Sequence, residues 1–273
     1  MLISAGPRGS AHRGALGSVQ PHFEVAGRSE RGAVRQRNDD YFAYYIPGDG
    51  ERLAQDGALF VIADGVGSGP AGNAASAEAT NVLLQEYYFS RRDAAPAARL
   101  RAAFERVSSH IFALAAENRG FHNMQTTLTA LLVRGDGWWC CHVGDSKLFA
   151  IRAGHPRQVT RDHSLVREMV RWSILGQKDA ERHPARHVLT KSLGIDPVVR
   201  PDSCGGRWSE GDVFLLSTDG LLDHVTAEEL AGWLGMEGIS AGVDHGVDVG
   251  NARGGTDNLT LLGVALRVET AEA

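Results

Sequence analysis

Cysteine is scarce in this 273-residue chain: only Cys140, Cys141 and Cys204 occur. Their number is odd and no C-x-x-C pair exists, so neither a disulfide framework nor a zinc knuckle is suggested, and a reducing, cytoplasmic setting fits best. Adjacent Cys140 and Cys141 would point to opposite faces of a strand. Long apolar runs are missing too. No stretch approaches the ~20 residues that a membrane-spanning helix needs. The opening MLISAGPRGSAHRGALGSVQ has no apolar core of signal-peptide length. Residues 1–20 therefore read as a disordered leader or expression remnant, and residues 21–273 as a single domain at the upper end of the usual size. A basic excess is also lacking: 28 Lys and Arg face 33 Asp and Glu, a net charge of -5. That argues against a general electrostatic grip on nucleic acid. A carboxylate excess suits an ordinary solvated surface, or carboxylates gathered around divalent cations.

What the chain does have is 43% hydrophobic residues in mixed periodicity. Leu59–Ala63 is a short continuous apolar run, the pattern of a buried strand, and stops at the turn Asp64-Gly65-Val66-Gly67. Residues 71–89 predict a helix. Leu100, Phe104, Val107, Ile111 and Leu114 mark a second one with a single apolar face. Strands are predicted over 126–133, 138–143 and 147–152, joined by short Gly/Asp turns as in a meander. One ring of Trp138-Trp139 should point inward and the other outward. Residues 164–172 predict a helix with Leu165, Met169 and Trp172 on one side, and Asp162 or Ser164 as its cap. A strand at 213–217 is followed by a capping-box start at Thr226 and Glu229. The last strand spans 259–268. Strand blocks and helix blocks are segregated, which predicts an α+β architecture with antiparallel sheets.

The aspartates fall at the ends of these strands. Asp64 closes one and Asp219 follows another. Asp257 precedes the last, Asp39 and Asp40 precede residues 41–46, and Asp145 lies in a hairpin turn. A carboxylate at a strand end beside glycine is held rigidly with its head facing a cleft. Several that converge repel one another unless a cation neutralises them. With only oxygen donors, such a group would select magnesium or manganese. The same residues also serve as ordinary turn caps, and spacing alone leaves both readings open.

The segments GAVRQRNDDYF, FVIADGVGSGPAGNAAS, MQTTLTALLV, CCHVGDSKLFAIR, VTRDHSLVREMVRW, HPARHVLTKSLG, FLLSTDGLLDHV and RGGTDNLTLLGV resemble, in order, the motifs of the bacterial protein phosphatase 2C (PPM) family. The resemblance runs from about Phe23 to Val268. It implies an α-β-β-α sandwich of two antiparallel sheets flanked by helices, and hydrolysis of protein phosphoserine and phosphothreonine by a metal-activated water. It also implies two Mn2+ or Mg2+ ions per site and a third beside them. By motif position, Asp64 bridges the two ions, the Gly65 carbonyl binds one, and Asp219 and Asp257 complete the first ion's ligands. Asp40 and Asp39 act mainly through water, Arg35 holds the substrate phosphate, and Asp145 with Asp219 holds the third ion. Residues 164–188 correspond to the variable flap beside the site. The implied partners are phosphoproteins and a cognate Ser/Thr kinase acting in the opposite direction, with no nucleic acid or membrane and the protein a monomer. Alternatives are a non-catalytic adaptor of the same fold, or a stress-signalling phosphatase acting on an anti-sigma-factor antagonist. The chain departs from the family at Val66, where eukaryotic relatives often carry a histidine acid. It departs again at Asp39 in place of glutamate, and at Ser68 and Gln125 in place of glycines.

Overall fold

The apolar run at 59–63 lacks the alternation of a half-exposed strand because both of its faces are buried. In the computed structural model, Leu59, Val61 and Ala63 face a helical layer, while Phe60 and Ile62 face a second sheet. The structure describes residues 20–66, 71–89, 94–117, 119–121, 123–180 and 182–268. Leader residues 1–19 and Ser68 lie outside these.

Described strands are β1 (Pro21–Glu30), β2 (Asp40–Tyr45), β3 (Ala58–Val66), β4 (Gln125–Thr126), β5 (Leu128–Arg134), β6 (Gly137–Val143), β7 (Lys147–Arg152), β8 (His155–Gln158), β9 (Asp202–Arg207), β10 (Val213–Ser217) and β11 (Leu259–Val268). Helices are α1 (Gly50–Asp56), α2 (Ala71–Phe89), α3 (Pro96–Glu117), α4 (Leu165–Arg171), α5 (Gln177–Ala180), α6 (Asp219–Leu222), α7 (Ala227–Glu237) and α8 (Ile239–Ala252). One sheet runs β1-β11-β10-β7-β8 and the other β2-β3-β5-β6-β9, with β4 on the end of β3. The strand pairs are antiparallel.

Three cores follow from these layers. Helices α2 and α3 cover the outer face of the β3 sheet, with Ala75, Ala79 and Leu83 meeting Leu100, Phe104 and Val107. The two sheets face each other through Phe60, Ile62, Leu131, Phe214, Leu262 and Val264. Helices α7 and α8 cover the other sheet through Leu230, Leu234, Val243 and Val247. The result is the α-β-β-α sandwich, with the helical layers outside and the two sheets between.

Several local expectations change. Trp138 is buried between the sheets, while Trp139, on the opposite face, is partly exposed and packs against the helix-facing core. Cys140 and Cys141 do divide between the two cores. Helix α4 buries Val166, while Leu165 and Trp172 are exposed. Its packing face is thus displaced from the predicted one. Ser164 occupies the N-cap position without a capping hydrogen bond from its side chain. Asp162 is not the cap either: it accepts from Gln158 and pairs with Lys147. The capping box on α7 forms as its sequence specifies.

Candidate metal centre

The carboxylates converge because neighbouring strands end together at one edge of the sandwich. Asp40 at the start of β2 lies opposite Asp64 on β3. From the other sheet, β10 runs through Thr218 into Asp219, the first residue of α6. Asp145 occupies the turn between β6 and β7, and Asp257 the approach to β11. Ligand atoms of Asp64, Asp145 and Asp219 all lie within 4.8 Å of one another. Asp145, matched by sequence to a third ion shared with Asp219, is thus brought together with both Asp219 and Asp64.

The Asp64 backbone is fixed on both sides. Its N–H donates to Thr127 Oγ1 at 2.9 Å, and its carbonyl accepts from Thr127 N–H at 2.9 Å and Thr126 Oγ1 at 2.8 Å. Thr127 Oγ1 also meets Ser146 Oγ at 2.7 Å, tying this strand end to the turn that carries Asp145. Gly65 is required sterically, because a Cβ there would sit 2.1 Å from the Gly72 carbonyl oxygen on α2.

Asp40 is buried, and its Oδ2 accepts from Thr218 Oγ1 at 2.8 Å and Thr260 Oγ1 at 2.6 Å. Asn258 clamps the preceding loop. Its side-chain amide donates to the carbonyls of Arg31 at 2.9 Å and Arg37 at 2.8 Å, and accepts from Asp39 N–H at 2.8 Å. Asp39 turns its carboxylate to Arg37 Nε at 3.0 Å. Arg35 donates to Asp257 Oδ2 at 2.6 Å, at the exposed rim of the cluster.

Crowding shows in the protonation equilibria. Burial, then the charges of Asp40, Asp219, Asp145 and Asp257, pushes the Asp64 carboxyl well above the usual carboxylate range. Burial and the neighbouring carboxylates also raise Asp40 to about 7 and Asp145 to about 8. Burial acts on Asp219 in the same direction, but the His187 hydrogen bond and the Lys147 charge outweigh it and hold Asp219 low. His187 Nδ1 lies 3.0 Å from Asp219 Oδ2, and that bond raises the imidazole. Oxygen-only donors, buried at close quarters and resisting joint ionisation, fit a hard divalent cation.

A cavity of about 530 Å³ leads away from Asp145 and Asp219. Val166, Arg167, Val170, Arg186 and His187 from the 164–188 segment line it, together with Lys147 and Asp162. Of these, His187, the partner of Asp219, is a neighbour that the sequence did not single out, as are Thr218, Thr260 and Asn258. The Thr-Asp-Gly and Thr-Asp-Asn-Leu-Thr segments held a signal for the latter three: polar side chains adjoining each proposed ligand.

Comparison with known proteins places this geometry. The family model "Protein phosphatase 2C" matches residues 27–238. Protein phosphatase PhpP of Streptococcus pneumoniae is 28% identical over 252 residues, covering 92% of this chain and 100% of that one. The serine/threonine phosphatase PstP/Ppp of Mycobacterium tuberculosis has a similar structure. Its TM-score is 0.79 at 29% identity, covering 90% of this chain and 99% of that one. The catalytic domain of PstP in complex with two manganese ions superposes with a TM-score of 0.77 at 27% identity, over 91% of this chain and 100% of that one. The chain belongs to the protein phosphatase 2C family and is a protein serine/threonine phosphatase, a hydrolase of phosphoric monoesters.

Proposed function

We propose that the chain removes phosphate from serine and threonine residues of proteins at the Asp64 cluster, opposing a Ser/Thr kinase as a cytoplasmic monomer. The observation that carries this reading is the meeting of Asp64, Asp145 and Asp219, from three separate strand ends, within 4.8 Å. Asp40, Asp64, the Gly65 carbonyl, Asp219 and Asp257 would hold two Mn2+ or Mg2+ ions, and Asp145 with Asp219 a third. Bound there, divalent ions supply Lewis acidity and water ionised near neutral pH.

The protein's own groups supply position and charge. Thr218 and Thr260 orient Asp40, and Asn258 holds the loop bearing Arg35 and Asp39. Arg35 meets Asp257 through one terminal nitrogen. The remaining donors of its planar fork can bind a phosphate at the rim. His187 donates from Nδ1 toward Asp219 and keeps that carboxylate ionised. The 164–188 segment forms one wall of the cavity beside the cluster. This supports its reading as a flap that meets the residues around the phosphorylated side chain.

Hydrolysis of a phosphothreonine peptide is the direct test. Activity should require added Mn2+ or Mg2+ and vanish in excess EDTA. Undiminished turnover by chelated, metal-free protein would overturn the assignment. Phosphoproteomes of cells with and without the protein would then identify the substrates and the kinase it opposes.

A further inference from the structure

Strands β6 and β9 pair antiparallel with Cys140 directly opposite Cys204. Opposed residues in such a ladder project to the same face, with Cα atoms ~4.5–5.5 Å apart, a separation that a disulfide spans without moving the backbone. The surroundings of the two thiols differ: Cys140 is buried between the sheets, whereas Cys204 is exposed on the edge strand. Cys204 opens onto a groove of about 580 Å³ that it shares with Trp138, Arg157 and Arg207. The adjacent Cys140 thiol, helped by the positive charge of Arg157, brings the Cys204 thiol down to about 7, while Cys140 is pushed up. A thiolate populated near neutral pH, accessible and adjacent to a second thiol, is the arrangement of a reactive cysteine with its resolving partner. Cys141 offers an internal contrast. It faces the helix-covered core, and burial raises its thiol to about 12.

We propose that Cys204 is a site of oxidation by hydrogen peroxide or an organic hydroperoxide, resolved by Cys140 into a reversible disulfide between β6 and β9. The Cys204 thiolate attacks one peroxide oxygen and the O–O bond breaks. This leaves a sulfenic acid on Cys204 and an alkoxide or hydroxide that takes up a proton. The Cys140 sulfur then attacks the sulfenic sulfur; the S–S bond forms, the S–O bond breaks, and hydroxide departs with the Cys140 proton as water. Two thiols lose two electrons, and the peroxide is reduced to an alcohol or water plus one further water.

The strand so locked is tied to the metal centre. Asp202, at the start of β9, accepts from Lys191 Nζ at 3.1 Å and lies 3.3 Å from His163 Nε2. His163 Nδ1 in turn accepts from Gly144 N–H at 3.0 Å, next to Asp145. The oxidised bond therefore fixes an edge strand that braces the turn carrying a candidate ligand.

The experiment titrates the reduced protein with hydrogen peroxide at neutral pH, then alkylates it in denaturant for intact-mass and peptide analysis. A parallel sample carries Cys141→Ala so that Cys140 is assigned without ambiguity. The expected product has lost two hydrogens, contains a Cys140–Cys204 cross-linked peptide and returns to the thiols with dithiothreitol. Its Tm should rise by roughly 5–10 °C, as expected when a long loop is closed without strain. Cys204→Ser should fold, keep the reduced protein's turnover and form no linkage. Cys140→Ser should stop at a sulfenic acid on Cys204 that dimedone captures. Oxidation spread equally onto Cys141 would overturn the proposal. So would a cross-link that forms as readily in urea, or a Cys204 no faster toward peroxide than free cysteine.

Discussion

Asp64 is the residue on which the other carboxylates press, and the one whose backbone is held by Thr126 and Thr127 together. Asp64→Asn keeps its shape but removes a charge and the capacity to ligate two cations symmetrically. Turnover on one phosphopeptide should fall by at least two to three orders of magnitude, roughly 3–4 kcal/mol of barrier. Thermal melting without metal should show folding retained or improved, since like charges have been relieved. Parental turnover and metal stoichiometry in this variant would mean that the site lies on other residues. Asp145→Ala tests a narrower claim. The variant should fold and keep two ions but turn over poorly, and equal ion counts and equal rates in both proteins would reduce Asp145 to a turn residue. The aspartates were legible in the sequence because each adjoins a strand end. Their supports were less so. Asp40 takes hydrogen bonds from residues 178 and 220 positions away, and His187 reaches Asp219 across 32. Only the tertiary fold brings such partners together.

Elements were legible where burial and periodicity agree, as in β3 and α3, and obscure where packing overrides local preference. Helix α8 is the clearest case. Its sequence, ISAGVDHGVDVGNA, carries glycines that weaken an isolated helix. Gly242, Gly246 and Gly250 recur every four residues and form the face that lies against Leu234, Leu230 and Leu221. The helix exists because this face lets it approach α7 and α6 closely while Val243 and Val247 enter the core. A Cβ on Gly242 would sit 2.8 Å from Leu234 Cα, a backbone atom that cannot swing aside. One on exposed Gly232 of α7 would meet open space. Gly232→Ala should therefore stabilise the protein by about 0.5–1 kcal/mol through helix propensity and a less flexible unfolded chain. Gly242→Ala, the same chemical change, should destabilise it. Chemical denaturation of the two variants decides the matter, and equal gains in both would show that α8 does not depend on close approach. The shifted face of α4 has a related cause: its neighbours are the cavity and solvent, and only Val166, on the cavity wall, is buried.

At the scale of the whole molecule, the same carboxylates that suit the site to cations make the metal-free fold sensitive to alkali. Asp40 titrates at about 7 and Asp145 at about 8 in the folded chain, against about 4 for an unfolded aspartate. Between those values the folded state binds more protons than the unfolded one, so stability falls as pH rises. His187, raised by its bond to Asp219, acts in the same direction. His142 and His163, lowered by burial, act oppositely, but only below the ordinary histidine range. Cys204, lowered to about 7, also acts oppositely above that pH, one group against the three raised carboxylates Asp40, Asp64 and Asp145. Asp219, held low, matters only in acid. From about pH 6.5 to about 8.5 the carboxylates therefore dominate. Their coupled ionisation should cost on the order of 2 kcal/mol, or roughly 4–8 °C of Tm, in protein kept in EDTA. Saturating Mn2+ should reverse the slope, because cation binding requires the ionised carboxylates and strengthens as protons leave. Melting curves across this range, with chelator and with Mn2+, test the sign directly. A Tm that climbs with pH in EDTA, or two parallel curves, would show that these carboxylates neither crowd one another nor share a cation.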